Sequence, residues 1–387
     1  MVYQVLFIVF VLFFLYDLFR RKESVGVAAV MGLVLFLLVA FRASSVGPDT
    51  QNYIQLYYTG VYGEDFREME GFFLAWNSFW RNLYFNGQMY LVVCAIASVG
   101  LILFCMWKSS QQRVWTYVLF LVAFSWYFYL SGIRQSLAMG CFTMGVYLLN
   151  RNIDILSFGR AEHKDARAPF SVAFKAEMKR LFHKENLGAA IFLIVAPFFH
   201  MTALFALAML VLVLLVQGNR TFYIVAISVS FIVALTAVFK SAEQLIDNAF
   251  SLLSGDSYIS TRYAGYLDDE YIYDTSLYLV LKSCLPVNFI ALLALFFRNR
   301  RYRLNERLFF WMVIIQNLFF YFSYMFRMNM YLYPFACIAI ANLLSPVLIK
   351  KKIGVYHIIM AIYVILCAYV SYTNLTAQPE FIYNFCF

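Results

Sequence analysis

Long apolar runs recur along almost the whole chain, and they limit the fold more than any other feature. Each is long enough to cross the hydrocarbon core of a bilayer, which takes about 17–25 residues of helix. The chain is 63% hydrophobic and only 13% charged, whereas soluble domains carry about 25% charged residues. The sequence therefore predicts an all-α, polytopic integral membrane protein that forms a single transmembrane domain over residues 1–387. The runs lie at about 3–19, 25–41, 89–107, 114–131, 133–150, 187–216, 221–239, 277–297, 308–326, 328–347 and 354–372.

The run at 187–216 decides how many helices cross the membrane. One helix of this length would measure about 45 Å at 1.5 Å per residue, and a bilayer core is only about 30 Å thick. A turn near His200 would divide the run into two short antiparallel helices, which predicts about 12 transmembrane helices with several tight outer hairpins. The first run starts at Val2 without a basic segment before it or a cleavage site after it, so it is interpreted as a retained helix and not as a signal peptide.

Basic residues concentrate on one side of this topology. The Arg-Arg-Lys cluster at 20–22 follows the first run, and the positive-inside rule assigns it to the cytoplasm and both termini to the outside. The cytoplasmic segments then hold 22 of the 30 Lys and Arg residues, while the outer side holds 13 of the 21 acids. This asymmetry predicts a basic cytoplasmic loop at 150–186 and outer loops at 42–88 and 240–276. It also accounts for the net charge of +9 without nucleic acid.

The sequence contains none of the common cofactor and metal motifs. Its seven cysteines and four histidines follow no metal-ligand spacing. Gly-rich phosphate loops, zinc helices and serine elbows are all missing from the sequence. We therefore expect no cofactor and no metal.

Four stretches interrupt the apolar runs with polar residues, and the topology assigns all four to the outer side. Charged groups at the ends of spanning helices are costly, so each is a candidate functional residue. If the stretches pack together, their arginines form a cationic pocket at the outer membrane-water boundary, and guanidinium groups suit bidentate binding of phosphate or diphosphate oxygens. The stretches are FRASSVGPDTQNY (41–53) with Arg42 and Asp49, SGIRQSLAMG (131–140) with Arg134 and Gln135, APFFHMTAL (196–204) with His200, and YFSYMFRMNMYLYPF (321–335) with Arg327, Asn329 and Tyr331.

Several of these residues also have a structural explanation, but Arg327 does not. Asp49 is placed to cap the helix that TQNYIQLYY starts, and Arg42 is placed to extend along apolar surface toward the interface. Arg134 fits an interfacial anchor, and a lone histidine in an apolar segment, such as His200, is usually a satisfied core residue. Aromatic belts explain the tyrosines that follow Arg327.

Two outer segments combine aromatic rings with carboxylates. Residues 54–88 carry tyrosines, phenylalanines and tryptophans beside Glu64, Asp65, Glu68 and Glu70. Aromatic rings pack on the apolar faces of sugars while carboxylates accept hydroxyl protons, so both segments predict a saccharide surface. An interfacial aromatic belt with solvated acids is the alternative. The second segment is 255–276, with Arg262, Tyr263, Tyr266, Asp268, Asp269 and Glu270.

In these stretches the sequence resembles the EpsG-like family of bacterial exopolysaccharide, capsule and O-antigen polymerases, which are of the Wzy type. The matching motifs extend from position 42 to position 335, and GIRQ together with the Asp-Thr stretch is the most specific part. The motifs are R…VGPDTQNY from Arg42, GIRQSLA from Gly132, H-x-T-A-L from His200 and R-x-x-MYLYPF from Arg327.

The resemblance implies a glycosyltransferase in the bacterial inner (cytoplasmic) membrane that joins oligosaccharide repeat units carried on undecaprenyl diphosphate. In such enzymes the growing glycan passes from its lipid diphosphate to an incoming lipid-linked unit on the outer leaflet, so the active site faces the periplasm or the outside. The implied partners are these lipid-linked substrates, the bilayer, a chain-length regulator and a flippase for the lipid-linked unit.

Glycosyl transfer from a diphosphate requires fixed cations, because negative charge develops on the departing phosphate oxygen. We assign Arg134 and Arg327 to the diphosphate, with Arg42 in support. Since the donor is already activated, no nucleotide sugar is needed, and arginines in this role make a metal unnecessary.

The acceptor hydroxyl must also lose a proton to a nearby base. His200 is the first candidate for that base or for orienting the acceptor, since an imidazole exchanges protons near neutral pH. Asp49 and Glu270 are the rival candidates. The residues assigned to the glycan are Tyr53, Gln135, Arg262, Tyr263, Tyr266, Asn329 and Tyr331.

Two other functions are compatible with the sequence. A lipid-linked oligosaccharide ligase, or another lipid-sugar transferase, would use a similar pocket with a different acceptor. A twelve-span transporter is the alternative from another class. Transporters place ionisable residues near the bilayer midplane and often contain repeated halves, whereas here these residues cluster at the outer rim and the sequence shows no half-to-half repeat.

Overall fold

A computed structural model describes most of the chain and leaves out two of its long loops. The described residues are 2–20, 23–60, 69–123, 126–158, 186–216, 218–236, 277–297, 302–321, 327–344, 355–377, 379–384 and 386. Most of the predicted loops at 150–186 and 240–276 therefore lies outside the described residues. So do four predicted site residues, namely Arg262, Tyr263, Tyr266 and Glu270.

Every regular element in the described part of the chain is helical, which confirms the predicted all-α class. A π turn at Ile96–Gly100 joins α5 and α6, and 3₁₀ turns lie at Trp126–Leu130, Met330–Leu332 and Pro379–Phe381. The α-helices are α1 (Val2–Arg20), α2 (Val25–Ala40), α3 (Thr50–Thr59), α4 (Gly71–Asn82), α5 (Gly87–Ala95), α6 (Leu101–Ser109), α7 (Arg113–Val122), α8 (Ile133–Phe158), α9 (Leu187–Phe199), α10 (Ala203–Leu215), α11 (Arg220–Thr236), α12 (Leu277–Phe297), α13 (Leu304–Leu318), α14 (Tyr333–Leu344) and α15 (Val355–Thr376).

Three helical segments of the described chain are long and apolar enough to cross a membrane. They are Val2–Arg20, the continuous α5–π–α6 segment Gly87–Ser109, and Ile358–Thr376. Six shorter apolar helices of 10–17 residues accompany them. The chain is thus a membrane protein, and the number of 12 crossings stays a prediction.

The long run at 187–216 divides into two helices, as the sequence predicts. His200 adopts an extended backbone with φ −157° and ψ 124°, which ends α9, and α10 begins three residues later. Each of the two helices has 13 residues, or about 20 Å at 1.5 Å per residue. Since a bilayer core is about 30 Å thick, neither helix alone is long enough to cross it.

Helix α8 lies at the centre of the bundle, where it packs against α6, the π turn, α9 and α10. Its glycines permit the close approach. A Cβ atom at Gly140 would lie 2.4 Å from the carbonyl oxygen of Ala97, and one at Gly145 would lie 2.6 Å from Leu193 Cγ. Small residues at helix contacts are typical of membrane bundles, because apolar lipid leaves close packing as a main attraction between helices.

A buried polar group joins α11, α12 and α13. The side chains of Asn288 and Asn317 exchange two hydrogen bonds of 2.7 and 2.8 Å, and Asn317 Nδ2 donates to Ser230 Oγ at 2.9 Å. All three residues are buried. In an apolar bundle such bonds stabilise the contact and fix the rotation of each helix.

The loop between α2 and α3 packs tightly against the turn before α8. Gly47 has φ +87°, and a Cβ atom there would lie 2.2 Å from the carbonyl oxygen of Leu130. Its N–H donates to the carbonyl of Glu380 at 2.7 Å, and the N–H of Ala43 donates to the carbonyl of Asn384 at 2.9 Å. The C-terminal segment therefore holds the loop on one side and the α8 turn holds it on the other.

Gly47→Ala tests this tight packing. The alanine must keep a left-handed backbone conformation, which costs about 1–3 kcal/mol. Its Cβ must also displace the Leu130 carbonyl. We expect a clearly lower melting temperature, measured by size-exclusion chromatography of heated, detergent-solubilised protein. Gly26→Ala is the matched control, since a Cβ there meets nothing within 4 Å. Equal melting temperatures for both variants would show that the loop is not tightly held.

Candidate active site

Arg134 is the centre of a group of polar side chains at the start of α8. We call Asp49, Tyr53, Glu70, Ser131 and Arg134 the Arg134 cluster. The Nη1 atom of Arg134 donates to Glu70 Oε2 at 2.5 Å, and Nε donates to the hydroxyl of Tyr53 at 3.3 Å. The ion-paired side chains are only 12% and 9% exposed, so the guanidinium charge is largely removed from water and balanced by Glu70.

Asp49 connects the loop before α3 to the same turn. It occupies the N-cap position of α3 but makes no side-chain capping bond, so the capping explanation is wrong. Its carboxylate instead accepts a hydrogen bond from Ser131 Oγ at 2.9 Å, and its N–H donates to the same hydroxyl at 3.3 Å. The carboxylate that pairs with Arg134 is therefore Glu70, while Asp49 is bound to Ser131.

Arg42 lies beneath this loop and is only 2% exposed. Its Nη1 donates to the carbonyl of Val39 at 2.5 Å, and its Nε is 3.5 Å from Thr50 Oγ1. That hydroxyl donates to the carbonyl of Leu130 at 2.8 Å. Arg42 is thus buried and does not extend to the interface as an anchor would. These contacts position the loop, and the assigned support of a diphosphate stays a prediction.

His200 heads a second polar group that links two hairpins. We call His200, Thr202 and Tyr331 the His200 relay. The N–H of Thr202 donates to His200 Nδ1 at 3.3 Å, and Thr202 Oγ1 lies 2.7 Å from Nδ1 and 3.0 Å from the hydroxyl of Tyr331. A backbone N–H only donates, so Nδ1 accepts in this arrangement. This geometry favours the neutral tautomer with its proton on Nε2.

Gln135 joins the two groups through the backbone. It follows Arg134 in sequence, is 3% exposed, and donates from Nε2 to the carbonyl of Arg327 at 2.6 Å. Asn329, which is 2% exposed, donates to the carbonyl of Met312 at 3.2 Å. Both amides hold the Arg327 turn in place, while the Arg327 side chain is exposed. Their predicted contacts with a glycan are untested.

Aromatic side chains of α4 pack beside the histidine turn. The ring of Phe199, which precedes His200, lies 4.9 Å from Phe72 and 5.5 Å from Trp76 between ring centroids. Tyr53 of the Arg134 cluster packs edge-on against Phe73 at 5.8 Å. The predicted aromatic segment at 54–88 therefore forms a wall next to both polar groups.

The four polar stretches of the sequence thus converge through hydrogen bonds between them. The loop of Asp49 binds the turn at Ser131, Gln135 binds the Arg327 turn, and Tyr331 of that turn contacts Thr202. Within the described residues, no group of three His, Cys, Asp or Glu side chains converges as a metal site would require. The predicted glycan residues of 255–276 and Glu270 lie outside the described chain.

Sequence reasoning did not single out three members of the site. Glu70 is one of several outer acids, and nothing in its local pattern distinguishes it as the partner of Arg134. Ser131 directly precedes the GIRQ stretch, and Thr202 stands two residues after His200 in H-x-T-A-L. Their nearness to these motifs is the signal that would have identified them.

Thr202→Val tests the His200 relay. Valine keeps the shape of threonine but removes the hydroxyl between His200 and Tyr331. Each of the two hydrogen bonds lost contributes about 0.5–1.5 kcal/mol. We expect the predicted glycosyl transfer to fall about tenfold, measured as the rate of product formation by the purified protein. Thr236→Val is the matched control, because within the described residues that exposed hydroxyl bonds to carbonyls of its own helix alone. Unchanged activity in both variants would exclude the relay from catalysis.

Comparison with protein families gives a match over most of the chain. The model of the EpsG family matches residues 25–158 and 171–386. The matched ranges include every described member of the Arg134 cluster and of the His200 relay. No curated protein and no solved structure matches the chain significantly.

Proposed function

The chain belongs to the EpsG family, and we propose that it is a polysaccharide polymerase that works on lipid-linked repeat units. The family is associated with glycosyltransferase-like polymerases of exopolysaccharide synthesis. In the proposed reaction, the growing glycan passes from undecaprenyl diphosphate to an incoming lipid-linked unit on the outer leaflet of the bacterial inner membrane. The polymer is an exopolysaccharide, a capsule or an O-antigen.

The observation that carries the proposal is the convergence of the Arg134 cluster and the His200 relay. Gln135 links them with a bond of 2.6 Å to the Arg327 turn. A cationic group, an imidazole and an aromatic wall then lie side by side at one end of short membrane helices. A diphosphate on a lipid tail, with a sugar attached, has matching anionic, apolar and saccharide parts.

The proposed chemistry is a direct displacement. The acceptor hydroxyl oxygen attacks the anomeric carbon of the donor sugar, and the bond from that carbon to the diphosphate oxygen breaks. Both electrons of this bond remain on the phosphate oxygen, whose charge the guanidinium groups of Arg134 and Arg327 stabilise. Arg134 has N–H groups beyond those bound to Glu70 and Tyr53 that can donate to phosphate oxygens.

The tautomer of His200 favours a donor role over the predicted role as base. Because Nδ1 accepts from Thr202, the neutral ring presents Nε2–H, which donates a hydrogen bond and cannot accept a proton. We assign this N–H to a phosphate oxygen or to the acceptor sugar. The base is then Asp49, whose Oδ1 accepts no hydrogen bond from a described residue, or Glu270.

Polymer formation in liposomes tests the function. The substrate is a purified repeat unit on undecaprenyl diphosphate, with no nucleotide sugar added. We expect wild type to give a ladder of lengthened products. Arg134→Ala and Arg327→Ala should each lose at least about 100-fold in rate, the usual effect of removing one group that stabilises developing charge.

Arg81→Ala is the matched control for these variants. This arginine is exposed on α4, and its side chain bonds to the carbonyl of Tyr57, outside the Arg134 cluster. It should retain the ladder. Unchanged substrate with wild-type protein, under conditions that support another polymerase, would contradict the proposed function.

Chemical rescue distinguishes the candidate bases. Asp49→Ala removes the carboxylate, and the rate should fall by about 10²–10⁴-fold, the usual contribution of a general base. Added formate is expected to restore part of this lost rate. Formate should not restore His200→Ala, because a carboxylate cannot replace an N–H donor. Rates are measured in the same liposome assay with and without formate. Rescue of neither variant, or of both equally, would remove Asp49 as the base.

A further inference from the structure

The opposite end of α7 and α8 holds a polar cavity that the proposed function does not use. Its volume is about 740 Å³, within the range of about 300–1,000 Å³ that is typical of small-molecule sites. The end of α6, the start of α7, α8, the start of α13 and α14 form its walls. Arg151 in its lining lies 17 residues after Arg134 on α8, which places the two sites about 26 Å apart along the helix.

Four cationic side chains line the cavity, namely Lys108, Arg113, Arg151 and Arg303. Arg113 already forms an ion pair with Glu23 at 2.9 Å. The other three form no ion pair within the described residues. All three are exposed, so their charges are available to a ligand.

Glu306, the acidic residue in the lining, forms no ion pair with these three cations within the described residues. Glu306 is 2% exposed, and its carboxylate accepts the backbone N–H of Arg303 at 2.8 Å. It therefore caps the first turn of α13, where a negative charge is favoured by the helix dipole. The exposed part of the cavity remains positive.

Polar side chains fix the wall that carries two of these cations. Asn342 Oδ1 accepts the N–H of Gln111 at 2.8 Å, and its Nδ2 donates to the carbonyl of Ser109 at 3.3 Å. The hydroxyls of Ser110 and Thr116 lie 2.6 Å apart, and Ser110 is 4% exposed. The turn between Lys108 and Arg113 is thus held in one shape, as a built binding site requires.

We propose that this cavity binds the phosphate groups of a second anionic ligand, one that carries two or more negative charges. The positive-inside rule explains why basic residues lie at this end of the bundle. It does not explain why three cations that form no ion pair with the described residues converge on a walled cavity. Guanidinium and ammonium groups with neutral amide and hydroxyl donors between them match the oxygens of a phosphate. The headgroup of an inner-leaflet lipid and a soluble phosphorylated molecule offer the same chemistry.

Binding of radiolabelled inorganic diphosphate to the full-length protein tests this site, in nanodiscs of zwitterionic lipid. The variant is Arg151→Gln combined with Arg303→Gln, and both positions are exposed, so the melting temperature should stay unchanged. We expect the double variant to lose at least tenfold in affinity at one class of sites. Arg20→Gln is the control at the same end of the bundle, because Arg20 bonds to the hydroxyl of Tyr16 and does not line the cavity. It should bind within twofold of wild type.

A second series separates this site from the proposed diphosphate site of the Arg134 cluster. Arg134→Gln should remove diphosphate binding at the Arg134 cluster and leave binding at the cavity unchanged. The double variant should have the opposite effect. Equal binding by wild type and the double variant, or an equal loss with Arg20→Gln, would overturn the proposal. Added phosphatidylglycerol identifies the source of the ligand. If this lipid competes with diphosphate, the cavity binds a lipid headgroup. If it does not compete, the cavity binds a soluble phosphorylated molecule.

Discussion

The ion pair between Arg134 and Glu70 is the interaction on which the rest of the site depends. A guanidinium at the end of a membrane helix is costly unless a counter-charge and hydrogen bonds accompany it. Glu70 supplies the charge and Tyr53 a hydrogen bond, so α4 and α3 are both held against α8. The pair keeps the cation in place while other N–H groups of Arg134 stay available for an anionic ligand.

Short helices determine where this site lies. Helices α9 and α10 have 13 residues each, or about 20 Å, which is less than the thickness of a bilayer core of about 30 Å. We therefore infer that the turn between them lies within the depth of the bilayer. A recessed site contains little bulk water, and charges interact more strongly there than at the surface. This arrangement is consistent with the proposed chemistry. In that proposal a lipid diphosphate enters from the bilayer, and its leaving-group charge is stabilised where water is scarce.

Much of this arrangement follows from the sequence, because apolar length and helix breakers act locally. The turn at His200 follows from a run too long for one helix, and the convergence of the four polar stretches follows from their assignment to one side. The pairing of Arg134 with Glu70 joins residues 64 positions apart, and Thr202 meets Tyr331 across 129 positions. Such contacts depend on the packing of whole helices. The same packing directs Asp49 to Ser131 and buries Arg42, whose local sequence contexts favoured a helix cap and an interfacial anchor.

The most direct measurement is a cryo-electron microscopy structure of the protein in nanodiscs with undecaprenyl diphosphate. The central claim is that the outer hairpins bind a lipid diphosphate through arginines. We expect diphosphate density within hydrogen-bond distance of Arg134 and Arg327, with Nε2 of His200 facing the phosphate or the space for the sugar. Diphosphate density elsewhere in the bundle, with the Arg134–Glu70 pair apart from it, would contradict the account.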